Sequence, residues 1–301
     1  MKALVLALAT GLAGGAPAAD WKIGAPIVTY WCGPSLTDPV ARQMAEGGFN
    51  LVWCNAETLD VAQRHGLRAM LHDGLINPAS LSTPEQRRKL DALIDRVKTH
   101  RALYAYFITD EPGAAQFPAL AKLVAYLRER DPAHLAYINL LPTYANNEQL
   151  GTKGDLMTAY QEHLQQYAGT VRPALISYDH YQFALKNDSD QYFLNLAMIR
   201  RAAQTAGVPF LNIVQASTWA PAVMRVPGSN EVRYLVYTTA AYGAQGLSYY
   251  IYSCPDHLGG IANADGTPTP LYPAVKNYNH EFAPSPGNCN RCARSPCGTP
   301  R

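Results

Sequence analysis

The 301-residue sequence is poor in charge: Asp, Glu, Lys and Arg together make up 16% of it. It has no basic run and no interleaving of basic with aromatic residues, so nucleic acid is not expected as a partner. Beyond the first twenty residues, no apolar stretch approaches the ~20 residues that a membrane-crossing helix needs. Two catalytic signatures are also absent. The turn after the first apolar run reads Trp31-Cys32-Gly33-Pro34-Ser35, which is not the glycine-rich phosphate loop that marks an open doubly wound sheet, the alternative α/β fold; no cofactor is expected. No Gly-x-Ser-x-Gly elbow is present for a serine nucleophile.

What remains is 48% hydrophobic and rich in tyrosine, with 19 Tyr beside 4 Trp. Such rings offer flat apolar faces with a polar tip. The formal charge is +2, but it leans on the two ends of the chain. Setting aside Lys2, Arg291, Arg294 and Arg301 leaves 21 basic residues against 23 acidic ones.

Residues 1–19 have the form of a signal peptide. Lys2 supplies the positive end, Ala3 to Leu12 the apolar stretch, and Ala16-Pro17-Ala18 a small-residue cleavage site. A secreted or periplasmic protein is expected, with no membrane insertion once the leader is removed. At the other end, residues 284–301 lose all periodicity and hold Pro284, Pro286, Pro296 and Pro300. An irregular, disordered tail is expected there. Cys289, Cys292 and Cys297 lack an evident fourth ligand for zinc.

Between these ends, apolar runs alternate with amphipathic stretches, the pattern of parallel strands joined by helical crossovers. The runs predict strands near 26–32, 50–54, 67–72, 103–109, 135–141, 174–179, 209–215 and 246–252. Helices are expected near 38–46, 59–65, 83–99, 117–130, 155–167, 191–206 and 231–242, with a last one starting at Tyr272. Eight such units predict an α/β fold, a (β/α)8 TIM barrel over residues 20–283, close to the ~250 residues typical of that fold. The last helix looks truncated. A missing helix there would bare the first and eighth strands, and a dimer through that region is one expectation.

In such a barrel, function gathers where the strands end. The strand ends carry Trp31, Trp53, Asn55, His72, Asp110, Glu111, Asn139, Tyr144, Tyr178, Asp179, His180, Tyr181, Gln215, Trp219, Tyr250 and Tyr252. Carboxyls among aromatic rings suit a carbohydrate cleft, the rings stacking on sugar faces while amides and phenols bind hydroxyls. The sharpest motif is Tyr106-Phe107-Ile108-Thr109-Asp110-Glu111-Pro112, an apolar strand ending in two adjacent carboxyls. Close carboxylates repel, which raises the pKa of one and lets it hold a proton to donate. The plainer alternative is that Asp110 and Glu111 cap the next helix behind Pro112. Asp179 is the candidate second carboxylate across the cleft, its alternative being a bond to its neighbours. His72, Asp73 and His180 lie on separate strands, and the first strand has no His-x-His, so no metal is expected.

This layout resembles the superfamily of barrel glycoside hydrolases, in which a Glu ending the fourth strand is the acid. In the main retaining group that Glu follows an Asn, whereas Asp110 stands here. An Asp-Glu pair is similar to the β-N-acetylhexosaminidase families that use substrate-assisted catalysis. The resemblance implies Glu111 as acid/base, Asp110 as the residue orienting a 2-acetamido group, and an oligo- or polysaccharide substrate. The main group's seventh-strand Glu is replaced by Gln215, which puts the two-carboxylate retaining reaction in doubt. Two alternatives stay open: a non-catalytic carbohydrate-binding barrel, and a polysaccharide lyase or metal-dependent hydrolase. Cys32, Cys54 and Cys254 end neighbouring strands, and two of them could pair in an oxidising compartment.

Overall fold

The structure, a computed structural model, describes residues 20–284. The expected leader and the tail from residue 285, with Cys289, Cys292 and Cys297, lie outside the described residues. Eight strands form one parallel sheet: β1 (Ile27–Trp31), β2 (Leu51–Cys54), β3 (Arg68–Leu71), β4 (Leu103–Asp110), β5 (Leu135–Leu140), β6 (Ile176–His180), β7 (Phe210–Gln215) and β8 (Gly246–Tyr250). A helix follows each: α1 (Asp38–Glu46), α2 (Leu59–Arg64), α3 (Pro84–Val97), α4 (Phe117–Arg130), α5 (Leu156–Val171), α6 (Tyr192–Ala206), α7 (Ser229–Ala241) and α8 (Tyr272–Phe282). The order around the sheet is β1-β8-β7-β6-β5-β4-β3-β2, so the chain is a (β/α)8 barrel. No helix among the described residues is long and apolar enough to cross a membrane.

Local chemistry sets the helix starts. The Thr83 side chain accepts from the Gln86 N–H ahead of Pro84, and the Asp155 side chain accepts from the Thr158 N–H at the start of α5. Each satisfies an amide that the helix itself leaves open. Alternation along the strands then divides the side chains between two cores. Ile27, Leu51, Met70, Ala105, Leu135, Leu211 and Ile213 fill the barrel interior. Val28, Val52, Leu71, Tyr106, Ile138 and Val214 face the helices. The barrel floor is plugged by the entering chain. Trp21 meets Tyr104 edge to face at 5.7 Å, and the Tyr104 hydroxyl donates to the Ile23 carbonyl.

One break in alternation decides where the chemistry lies. β4 pairs β5 with Phe107 opposite Tyr137 and Asp110 opposite Asn139, the register shifting between Phe107 and Thr109. Tyr137 belongs to the interior core, and Asn139 lies two residues further along the same strand. The bulge therefore turns Asp110 onto the inner face, where strict alternation from Phe107 would have sent it outward. Glu111 follows in the left-handed region, with φ 45°. That conformation is uncommon for a residue with a side chain and concentrates at functional sites.

The last helix is short, yet it covers its strands. Asn279 of α8 accepts from the Tyr249 hydroxyl at 2.7 Å and donates to the Gly47 carbonyl at 2.8 Å. Gly48, with φ 77°, sits where any Cβ would come within 2.8 Å of Asn279. Ile27, Val28, Tyr30, Leu247 and Tyr249 are all at most 1% exposed. The first and eighth strands are thus covered.

The ring closes differently between β1 and β2, which stand at the two ends of the hydrogen-bonded order. Here side chains do much of the joining. Asn50 Oδ1 accepts from the Val28 N–H at 3.0 Å, and its Nδ2 donates to the Pro26 carbonyl at 2.9 Å. Arg68 braces this amide, donating to Asn50 Oδ1 at 2.6 Å and to the Pro26 carbonyl at 3.1 Å. The Trp53 indole donates to the Tyr30 carbonyl at 2.6 Å. Replacing Asn50 with Ala leaves the Val28 N–H without its acceptor and the Pro26 carbonyl with Arg68 alone, at a cost of about 1–3 kcal/mol. A thermal melt of Asn50→Ala should show a midpoint several degrees below wild type. An unchanged midpoint would mean that the seam closes without this side chain.

Candidate active site

Three carboxyls converge at the C-terminal mouth of the barrel, delivered by β4 and β6. Asp179 lies on the inner face of β6, at 2% exposure. Asp110 and Glu111 open to solvent on the cleft side and are enclosed by protein elsewhere. Asp179 Oδ1 accepts from Asn139 Nδ2 at 2.7 Å. Its Oδ2 is buried with no hydrogen-bond partner, and the Glu111 and Asp110 carboxyls are near enough to act on it electrostatically. Like charges this close in a partly desolvated space repel, which favours the protonated form of at least one of the carboxyls.

The electrostatics agree. Burial first, then repulsion from Asp110, push the Glu111 carboxyl up to about 7, the contact with Asp179 acting in the opposite direction. Burial and the charges of Glu111 and Asp110 hold Asp179 well above the usual carboxylate range. Burial raises Asp110 as well, against the hydrogen bond from Asn139.

A polar chain on the inner faces of β5 and β6 fixes this arrangement. The Tyr137 hydroxyl lies 2.7 Å from Ser177 Oγ, and Ser177 Oγ donates to Asn139 Oδ1 at 2.9 Å. With its oxygen so engaged, Asn139 turns both amide hydrogens upward, one to Asp179 and one to Asp110 Oδ1 at 3.0 Å. The reverse orientation would aim a carbonyl oxygen at two carboxyls. These groups stand on strands rather than loops, which suits a site that must keep its geometry.

Aromatic walls flank the carboxyls. On one side Trp53 packs on Phe107 with ring centroids 4.7 Å apart, Trp31 meets Trp53 at 5.1 Å, and His72 lies against Phe107 at 5.6 Å. On the other, Tyr181 meets Tyr250 at 4.8 Å and Trp219 at 5.0 Å. The Tyr250 hydroxyl is fixed by His257 Nε2 at 2.9 Å. Trp219 remains 44% exposed, a ring face free to take a ligand. Tyr144 joins this side, its hydroxyl accepting from the Tyr181 N–H at 3.2 Å.

The structure thus brings together Asp110, Glu111, Asn139, Asp179, Trp31, Trp53, His72, Tyr181, Trp219 and Tyr250, and it sets five expected residues elsewhere. Tyr178 and His180 are on β6 but on its outer face. Tyr178 is buried in the core facing the helices, and His180 bonds Asn195 of α6 at 2.9 Å. Tyr252 also faces outward, with its hydroxyl accepting from Gln43 at 2.8 Å. Asn55 closes a turn on Thr58 instead of facing the cleft. Gln215 is fully buried, its amide spent on the backbone of Phe183 and Arg225. Phe107, Tyr137, Ser177 and His257 were not expected at the site. Strand alternation carries the signal for Tyr137 and Ser177, each two residues before an expected inward group.

No protein-family model matches the sequence, and no curated protein sequence matches it. In fold it is similar to solved glycoside hydrolases. A candidate alpha-L-fucosidase from Bacteroides thetaiotaomicron VPI-5482 aligns over 92% of this chain and 99% of its own, with TM-score 0.58 and 9% identity. A beta-galactosidase from the psychrophilic Marinomonas ef1 aligns over 85% of this chain with TM-score 0.56 and 13% identity, and the match spans 58% of that longer protein. The GH99 endo-alpha-mannosidase from Bacteroides thetaiotaomicron aligns over 86% of this chain and 80% of its own, with TM-score 0.55 and 14% identity.

The buried proton has a consequence for stability. A carboxyl whose pKa is raised on folding binds its proton more tightly in the folded state. Stability then falls as pH rises from the unfolded value, ~4, through the folded one. An Asn at position 179 keeps the acceptor for Asn139 and puts an N–H where a raised carboxyl holds its proton. Asp179→Asn should therefore lose less thermal stability than wild type between pH 5 and pH 8. Equal losses in calorimetry at the two pH values would show that Asp179 carries no elevated proton.

Proposed function

We propose that this protein is a glycoside hydrolase that cleaves O-glycosidic bonds with Glu111 as its general acid. The observation that carries the reading is the convergence of Asp110, Glu111 and Asp179 about Asn139, seated between two aromatic walls. Burial holds a proton on Glu111 near neutral pH, as a donor to a leaving oxygen requires. As that proton moves to the glycosidic oxygen, the bond from C1 breaks and its electron pair leaves with the oxygen. Positive charge developing on the sugar ring then faces Asp110 and Asp179.

Burial and the neighbouring carboxyls favour a proton on Asp179, which makes it a poor nucleophile or base. Gln215 offers no nucleophile in place of a second carboxylate. Both points favour a nucleophile carried by the substrate, in line with the Asp-Glu resemblance. The carbonyl oxygen of a 2-acetamido group would close on C1 while Asp110 Oδ2 takes the amide N–H. Asp110 Oδ1 is already committed to Asn139. Water then opens the resulting ring at C1 and returns a proton to Glu111. The substrate is accordingly an oligo- or polysaccharide containing a 2-acetamido sugar. The leader-like residues 1–19 support a secreted or periplasmic site of action.

The test is hydrolysis of aryl N-acetylhexosaminides, glucosides and galactosides by wild type and by Glu111→Gln. N-acetylhexosaminides should be preferred, and the variant should lose about 10²- to 10⁴-fold in kcat/KM. Binding of sugars by a folded wild type without turnover on any of them would favour a carbohydrate-binding barrel instead. The pH profile gives a separate check. Activity that needs protonated Glu111 falls as pH rises through about 7. Removing the Asp110 charge weakens the repulsion that raises Glu111, so Asp110→Asn should move that limb to lower pH. A limb that stays in place would separate Asp110 from the acid.

A further inference from the structure

We propose that Cys32 and Cys254 are a disulfide pair that ties the loop leaving β1 to the loop leaving β8 at the rim of the cleft. Cys32 is the first residue after β1, with φ 47°. Its carbonyl accepts from the N–H groups of Tyr252 and Ser253 at 3.1 and 3.3 Å. The loop leaving β8 is therefore laid along Cys32, and Cys254 is its next residue. Both thiols are free in the structure, and that of Cys254 lies near enough to raise the pKa of Cys32. The third cysteine of the barrel is set apart. Cys54 is buried at the end of β2, 7% exposed, with Thr58 as its hydrogen-bonding neighbour.

Access fits the chemistry. Cys32 is exposed and Cys254 half-buried, so a soluble disulfide can reach the pair. The Cys32 thiolate attacks one sulfur of that oxidant, forming a mixed disulfide and expelling the first thiolate. The Cys254 thiolate then attacks the Cys32 sulfur, closing the bond and expelling the second. The oxidant gains two electrons and the protein loses two protons. Burial and the Cys254 thiol push Cys32 up to about 11, so little thiolate exists at neutral pH and closure there is slow without a catalyst. The pair lies beside Tyr250, whose hydroxyl feels both sulfurs, so the link braces one aromatic wall. It does not rest on the glycosidase reading.

The full chain is incubated with oxidised glutathione at alkaline pH, alkylated, and digested with trypsin without reductant. Each barrel cysteine falls in its own peptide: 23–42 for Cys32, 43–64 for Cys54 and 234–276 for Cys254. The expected product is peptide 23–42 joined to 234–276, with Cys54 alkylated. Alkylation of both Cys32 and Cys254, or glutathione retained on Cys32, would overturn the pairing. Melting supplies the second measurement. A link spanning most of the chain restricts the unfolded state, so oxidation should raise the midpoint of wild type and of Cys54→Ser. The same rise in Cys32→Ser would also overturn the pairing.

Discussion

Three carboxyls in one partly desolvated space cannot all be charged, and the mouth of this barrel is arranged around that constraint. Asp179 is buried among strands with one oxygen facing only another carboxyl. Its charge is relieved by retention of a proton and by a single amide hydrogen from Asn139. Asn139 can face the carboxyls with its nitrogen only because Ser177 takes its oxygen, and Ser177 is in turn held by Tyr137. The layers below the carboxyls therefore act as an electrostatic foundation as well as a core. A hydrophobic replacement at any of these floor positions would leave a buried polar group unpaired.

The same constraint explains the irregular end of β4. Consecutive residues of a strand point to opposite faces, so adjacent carboxyls would ordinarily be separated by the sheet. The bulge before Thr109 brings Asp110 inward, and the left-handed backbone of Glu111 keeps the next side chain at the mouth. The fold accepts local conformational cost to place two like charges together. It recovers that cost through the packing of Trp31, Trp53 and Phe107 around the strand ends.

Much of this is legible in the sequence. Eight apolar runs and their intervening amphipathic stretches lead to the barrel because each element's period reflects how it buries one face. The carboxyls are legible because charge is scarce and stands out where strands stop. Less legible is the direction in which a strand-end residue points. Tyr178, Asp179 and His180 are consecutive, and only the middle one faces the cleft; alternation gives that answer once the inward phase of β6 is known. On β4 alternation itself fails at the bulge, a feature set by pairing with β5 rather than by local composition. Gln215 and Asn55 have the chemistry of ligand-binding groups but spend it on backbone, which depends on loops that fold over them. That Cys32, Cys54 and Cys254 end neighbouring strands is legible, but that Cys254 lies beside Cys32 rather than Cys54 depends on the path of the loop leaving β8.

Ring closure also orders events along the chain. The ladder between β1 and β8 is regular, with Ile27 opposite Gly246 and Trp31 opposite Tyr250, whereas the nearby β2 is joined to β1 largely through Asn50 and Trp53 side chains. The first strand thus draws its regular backbone pairing from the last, across nearly the whole length of the barrel. Bringing such distant partners together costs loop entropy before any bond rewards it. As the chain is synthesised from its amino end, β1 has no backbone ladder to join until the eighth strand has appeared. Its apolar residues must wait in a half-finished sheet, held to β2 by Asn50 and Trp53. This barrel is consequently a structure whose beginning is decided at its end.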